Sequence, residues 1–255
     1  MARDLAEQKY SHTLMCDAEK EIISQSIQRL TIKLNHVEME TAPKRFRQAR
    51  LSDLHDGIQN KVKDAIDKNI GLFLYGKRGR GKTHLAWAVY RYLMIRAGVK
   101  VLNELWQQRH TSWGAVVGPP EAERYISCAY TAALSTRADI VFCNTSELLD
   151  SIKQCFEKES TVTKQEVVRQ YANVRSLFLD DIGMEKYSAF VQETFDNIVD
   201  ERWSEERLTV FTSNLSFDEL EAHYNDHGRI SSRIAGMCVA IELVGDDRRV
   251  RGQHG

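Results

Sequence analysis

The stretch GLFLYGKRGRGKTHLAWAVY, residues 71–90, constrains the chain more than any other. A short apolar run reads as a buried strand, a glycine-rich loop follows, and an amphipathic run opens on the last residues of that loop. Gly76, Gly81, Lys82 and Thr83 complete the pattern G-x-x-x-x-G-K-T without a gap, in the strand, loop and helix context that the pattern requires. Glycines let backbone N–H groups turn inward on phosphate oxygens, and the start of the helix adds its partial positive charge. Residues 76–84, that is Gly76, Lys77, Arg78, Gly79, Arg80, Gly81, Lys82, Thr83 and His84, are therefore the expected cradle for ATP. Lys82 is assigned to the β/γ-phosphates and the Thr83 hydroxyl to Mg2+. Lys77, Arg78 and Arg80 are surplus cations, which either raise the local potential as solvated charges or touch DNA or a neighbouring subunit.

The remaining patterns alternate strand and helix, which predicts a parallel sheet covered on both faces. Strands are expected at GLFLYG (71–76), DIVFCNT (139–145), SLFLDD (176–181), LTVFTSN (208–214) and CVAIELVG (238–245). The helix after the glycine loop is expected to close at Gly98, and the helix SELLDSIKQCFEKE to be opened by its serine, with Glu147 in the first turn. Between Val99 and about Arg137 lies a stretch with two tryptophans and a Pro-Pro pair, too long for an ordinary connection and read as an insertion at about 100–137. Earlier in the chain, Ile23, Ile27, Leu30, Leu34 and Val37 fall on one helical face. That stripe either packs on its own domain or docks on a partner helix. Pro43 breaks the helix, so the division is placed at residue 42: residues 1–42 form an N-terminal helical segment, a candidate for partner docking, and 43–255 form one ATP-binding domain.

A P-loop needs a carboxylate at the end of an adjacent strand, because a cation bridging two phosphates must also be held from the protein side. SLFLDD supplies Asp180 as the magnesium holder and Asp181 as the group that orients or deprotonates the attacking water. Asn214, at the end of the next strand pattern, is placed to hydrogen-bond the γ-phosphate or the same water. Charge developing on a transferred phosphoryl group asks for a fixed guanidinium, which a second subunit can supply. HGRISSRIAG offers Arg229 and Arg233, and GDDRRVRG offers Arg248, Arg249 and Arg251.

Other classes find little support. A formal net charge of −1 restricts any nucleic-acid contact to local patches. The five cysteines are scattered, odd in number and without a CxxC pair, so neither a disulfide framework nor a zinc knuckle is indicated. MARDLAEQKY is no targeting segment and no apolar run reaches the roughly 18 residues of a membrane span, so a cytoplasmic location is expected. His223 and His227 stand four apart, but the intervening YND lacks a metalloprotease glutamate, and they are read as surface histidines. Trp106 and Trp113 either form a small insertion core or stack on bases.

Taken in order, GKRGRGKTHLA, LFLDDIGMEK, TVFTSNLSFDEL, GRISSRI and VGDDRR resemble the DnaC/IstB group of AAA+ ATPases, which comprises helicase loaders and transposition helper ATPases. The likeness covers roughly residues 43–250, with APKRFRQA similar to the segment that enters the first strand. It implies an α/β fold, a three-layer αβα P-loop core with a five-stranded parallel sheet and, with few residues after Arg249, no full helical lid. It implies that Asn214 is the sensor-1 residue and Arg233 the arginine finger on a neighbour's ATP, with Arg229 as its fallback and Arg249 as a sensor-2-like arginine. TKQEVVRQYANV takes the place of the extra helix with which this group builds DNA-holding assemblies.

The activity implied is weak ATP hydrolysis with Mg2+, dependent on self-association into a ring, spiral or filament. The implied function is that of a replicative helicase loader, with single-stranded DNA and a hexameric helicase as partners; the alternatives are an IstB-like regulator of a DNA transposase, a P-loop small-molecule kinase and an ATP-dependent scaffold. Two departures from the group stand out: Asp180-Asp181 replaces the usual Asp-Glu, and the insertion at about 100–137 is not part of the common pattern.

Overall fold

The computed structural model describes residues 17–37, 42–113, 119–156, 162–186, 188–224 and 229–245. Its elements run α1 (Asp17–Asn35), α2 (Asp56–Asp67), β1 (Gly71–Tyr75), α3 (Lys82–Trp113), α4 (Pro119–Ser135), β2 (Ile140–Asn144), α5 (Thr145–Gln154), α6 (Lys164–Asn173), β3 (Ser176–Ile182), α7 (Ala189–Ser204), β4 (Leu208–Ser213), α8 (Phe217–Tyr224), α9 (Arg229–Met237) and β5 (Cys238–Glu242). They form two compact units, Leu51–Ala86 with Asp139–Gly255 and Met1–Arg50 with Trp87–Ala138. These units do not follow a linear division at residue 42, because the insertion folds with the N-terminal helix.

The first unit is built on the sheet. All five expected strands are present and parallel, in the order β2-β3-β4-β1-β5. β4 lies between β1 and β3 and all six of its residues are buried, which suits its run of apolar and β-branched side chains. Phe73, Leu177, Leu179 and Phe211 from the sheet pack with Leu148 and Ile152 of α5, Val167 and Val168 of α6, Phe195 and Ile198 of α7 and Ile230 and Ile234 of α9. Each such side chain contributes about 1.5–3 kcal/mol on burial.

α5 is opened by Asn144, the last residue of β2, and not by Ser146: its side chain accepts from the Ser146 N–H while Glu147 returns to its own N–H. The strand passes into the helix without a linker, so its final extended residue is the one placed to cap. Thr163 and Glu166 form the same box at the start of α6. At the other end of α6 the buried Arg202 guanidinium donates to the carbonyls of Tyr171, Ala172 and Val174, and also to Leu208 O and Thr209 Oγ1. It thereby satisfies carbonyls that a helix end leaves open. Burial, reinforced by the Arg207 charge, pushes Arg202 down to about 9, which leaves it charged at neutral pH.

The second unit is helical. α3 does not stop at Gly98 but continues to Trp113. The glycine serves a close crossing instead: a Cβ there would stand 3.0 Å from Ala133 Cβ, 3.1 Å from Ala129 O and 3.3 Å from Leu34 Cδ1. Ile23, Ile27, Leu30 and Leu34 of α1 are buried within this unit, where α1 packs on α4. The apolar stripe is therefore covered by the chain's own insertion. Trp106 is buried edge-on against Tyr125, a core position, whereas the Trp113 side chain lies outside the described residues. Arg91 repeats the device of Arg202, donating to Leu34 O, Asn35 O and Val37 O at the end of α1 and to the carbonyls of Arg47 and Ala49. Among the described residues no helix is long and apolar enough to cross a membrane.

Candidate functional site

Strand order decides which side chains meet. With β4 between β1 and β3, the loop leaving β1, the residue leaving β4 and the acidic end of β3 share one edge of the sheet, the carboxyl edge where α/β folds bind ligands. Gly76 starts the loop at φ 135°, and a Cβ there would come within 2.5 Å of Leu243 O, so the backbone passes β5 more closely than any other residue allows.

Lys82 is buried, and its Nζ donates to Gly76 O at 2.7 Å, Lys77 O at 3.1 Å and Asn214 Oδ1 at 2.7 Å. The Thr83 hydroxyl donates to Asp180 at 3.0 Å. The structure thus brings together Lys82, Thr83, Asp180 and Asn214, four residues singled out from sequence. Lys77 and Arg78 are exposed, and Arg80 is half-buried with an Nη1 that makes no hydrogen bond. His84 turns aside to Asp53, 3.4 Å away.

The acidic pair is bulged. β3 loses its regular register with β4 between Leu179 and Ile182, and Asp181 adopts φ 61°. A non-glycine residue in that region stores about 1–3 kcal/mol, a strain found mainly where function demands it. Asp180 is 8% exposed, and burial raises its pKa, with the Asp181 charge acting in the same direction and the Thr212 and Thr83 hydroxyls opposing it. A hydroxyl and a carboxylate 3.0 Å apart, both hard oxygen donors, fit Mg2+, and a cation beside Asp180 favours its charged form.

Thr212 was not foreseen. Its hydroxyl donates to Asp180 Oδ1 at 2.6 Å and accepts the Asp181 N–H at 2.9 Å, so one buried side chain fixes both acids. Ser213 Oγ, next along β4, donates to Ile182 O at 2.8 Å. The available signal was the change from apolar to polar within LTVFTSN, where Thr212 and Ser213 end β4 and Asn214 follows it. Asn214 also donates through Nδ2 to Met184 Sδ at 3.1 Å.

Arg233 and Arg229 are paired with Asp196 and Asp200 of α7 and not with the loop. Arg248, Arg249 and Arg251 lie outside the described residues, as does His227. His223 sits edge-on to the Tyr224 ring, and among the described residues no group of three or more His, Cys, Asp or Glu side chains is gathered to hold a metal.

Known proteins share this plan. The replicative helicase loader DnaI of Bacillus subtilis is 26% identical over 253 residues, covering 92% of this chain and 67% of that protein. The replicative helicase loader DnaC of Escherichia coli K12 is 26% identical over 158 residues, covering 62% of this chain and 48% of that protein. The chain thus spans about two thirds of the length of DnaI and about half that of DnaC. The crystal structure of the DnaC helicase loader superposes with a TM-score of 0.53 at 18% identity, over 79% of this chain and 100% of that one. The replication initiator DnaA bound to AMPPCP and single-stranded DNA gives 0.52 at 18% identity, over 81% and 52%. Both show the AAA+ P-loop fold. A family match begins beyond the glycine loop, so the G-x-x-x-x-G-K-T pattern at residues 76–83 is a separate indication of the same kind. That match, to the family described as IstB-like ATP binding protein, spans residues 109–254, more than half of the sequence, and the chain belongs to this family.

Proposed function

We propose that this chain is an ATP-switched, Mg2+-dependent ATPase that loads a replicative helicase onto single-stranded DNA. The observation that carries the reading is the convergence of Lys82 and Thr83, which open α3, with Asp180 near the end of β3 and Asn214 just past β4. Kinship with DnaI and DnaC, both helicase loaders, supplies the partner.

Bound MgATP supplies the transferable phosphoryl group. With the nucleotide bound, Lys82 would exchange its loop carbonyls and Asn214 for β/γ-phosphate oxygens, and Thr83 and Asp180 would hold the cation. Asp181, held by its own N–H on Thr212, would orient the attacking water and accept its proton as the bond between the β- and γ-phosphates breaks and ADP leaves. Asn214 would leave Lys82 for the γ-phosphate, so that its position would report whether the third phosphate is present. Arg233 acts on the nucleotide of a neighbouring copy, with Arg229 as the alternative, and Arg249 serves as the sensor-2-like arginine. The helical segment within 1–42 and the insertion at about 100–137, which pack on each other, form the partner-facing module in the cytoplasm.

ATP turnover measured against protein concentration tests the reading. Turnover per chain is expected to rise with concentration and with single-stranded DNA, and to vanish in Lys82→Ala. A constant rate per chain, or a rate that rises only with an added metabolite as for a small-molecule kinase, overturns it. A second reading, regulation of a DNA transposase, draws on the family's name. Copurification with a hexameric helicase supports the first, and with a transposase the second.

A further inference from the structure

We propose that Asp200, together with Asp196, is a positioning clasp that holds Arg233 within an isolated chain and yields it to the nucleotide of a second copy. The inference rests on the assignment of Arg233 as the arginine that acts between copies.

α7 and α9 pack against each other. Asp196 and Asp200 are four residues apart on α7, and Arg229 and Arg233 are four apart on α9, so each pair occupies one helical face. Asp200 is shared: its Oδ1 stands 2.5 Å from Arg233 Nη2 and its Oδ2 3.3 Å from Arg229 Nη2. Asp196 Oδ1 is 3.8 Å from Arg233 Nη1 and 3.8 Å from Arg229 Nε, inside Coulombic range but too far for a hydrogen bond. The two arginines differ in exposure, with Arg229 at 57% and Arg233 at 21%.

Arg233 is held incompletely. Its Nη1 is buried and makes no hydrogen bond. A guanidinium offers a planar fork of donors, and a phosphate can accept on both sides of it where the clasp satisfies one. Departure of Arg233 is also inexpensive, because Arg229 stays on the second oxygen of Asp200 and the half-buried carboxylate keeps a cation. A clasp with a single arginine would strand its aspartate. Two cations on one carboxylate permit an exchange, in which Arg229 secures α7 to α9 while Arg233 reaches a neighbour.

Sedimentation velocity in AMPPCP and Mg2+, across a dilution series, tests the clasp. Asp200→Asn removes the competing intramolecular pair and is expected to assemble at about 1.5- to fivefold lower protein concentration than the parent, the range expected for losing a partly exposed ion pair. Asp200→Glu restores a carboxylate and is expected to move the midpoint back toward the parent. Thermal unfolding checks that each variant folds; should Asp200→Asn not fold, Asp196→Asn is read in its place, with a shift in the same direction. A midpoint that stays unchanged or rises, while Arg233→Ala abolishes concentration-dependent turnover, overturns the clasp and leaves the assignment of Arg233 standing. If Arg233→Ala retains full turnover, alone and mixed with Lys82→Ala chains, both fall.

Discussion

Thr212 fixes the acids of the candidate site, and its replacement separates their support from their chemistry. Thr212→Val keeps the shape but removes the donor to Asp180 and the acceptor of the Asp181 N–H. The expected loss is about 1–3 kcal/mol in urea unfolding, with weaker binding of AMPPCP and Mg2+; an unchanged midpoint would show that water replaces the hydroxyl. Asp181 makes the opposite case. At φ 61° its backbone is strained, so Asp181→Gly is expected to stabilise the chain by about 1 kcal/mol while turnover falls about 10²- to 10⁴-fold. Thiols divide in the same local way. Burial, with the Glu147 and Asp180 charges acting alongside it, pushes Cys143 up to about 12, and Cys128 is exposed. Iodoacetamide at pH 8 is therefore expected to alkylate Cys128 in the folded chain and to leave Cys143 unmodified until denaturant is added. The glycine loop, Asp180 and Asn214, which the structure gathers at one edge of the sheet, were legible as candidates because each sits in a contiguous signature. Thr212 was not: the turn from apolar to polar in LTVFTSN marks the end of a strand, but does not say which hydroxyl faces a carboxylate.

At the scale of elements, apolar runs bounded by turn residues located all five strands, whereas helix extent was misread at Gly98. A glycine can end a helix or admit another helix close to it, and its own neighbours do not distinguish the two. The clue lay elsewhere, in Ala129 and Ala133, which are four apart and present small side chains on one face of α4. Gly98→Val is accordingly expected to destabilise the helical unit by about 1–3 kcal/mol through overpacking, measured by urea unfolding. A gain in stability would mean that helix propensity outweighs the contact. Asn144 in place of Ser146 is a smaller case of the same kind: the first polar residue able to cap was already the last residue of the strand.

For the whole molecule, the pattern of alternating strands and helices indicated a parallel sheet but not its order, because β1 pairs with strands that arrive only at residues 208 and 238. Those pairings create the site, so ligand binding and sheet stability are expected to be linked. AMPPCP with Mg2+ at 100 times its Kd should add about 2.7 kcal/mol to the unfolding of the sheet unit. Amide exchange in β1, β3 and β4 checks this, and Lys82→Ala is expected to abolish the protection; equal protection in that variant would place the ligand elsewhere.

The position of β4 also sets a timetable for biosynthesis. The glycine loop leaves the ribosome well before either strand that frames β1, since those strands begin only at residues 208 and 238. A nascent polypeptide arrested before residue 208 carries the glycine loop without the scaffold that aims it. The parts of the candidate site thus come into register only once translation has passed both strands and they dock on either side of the first.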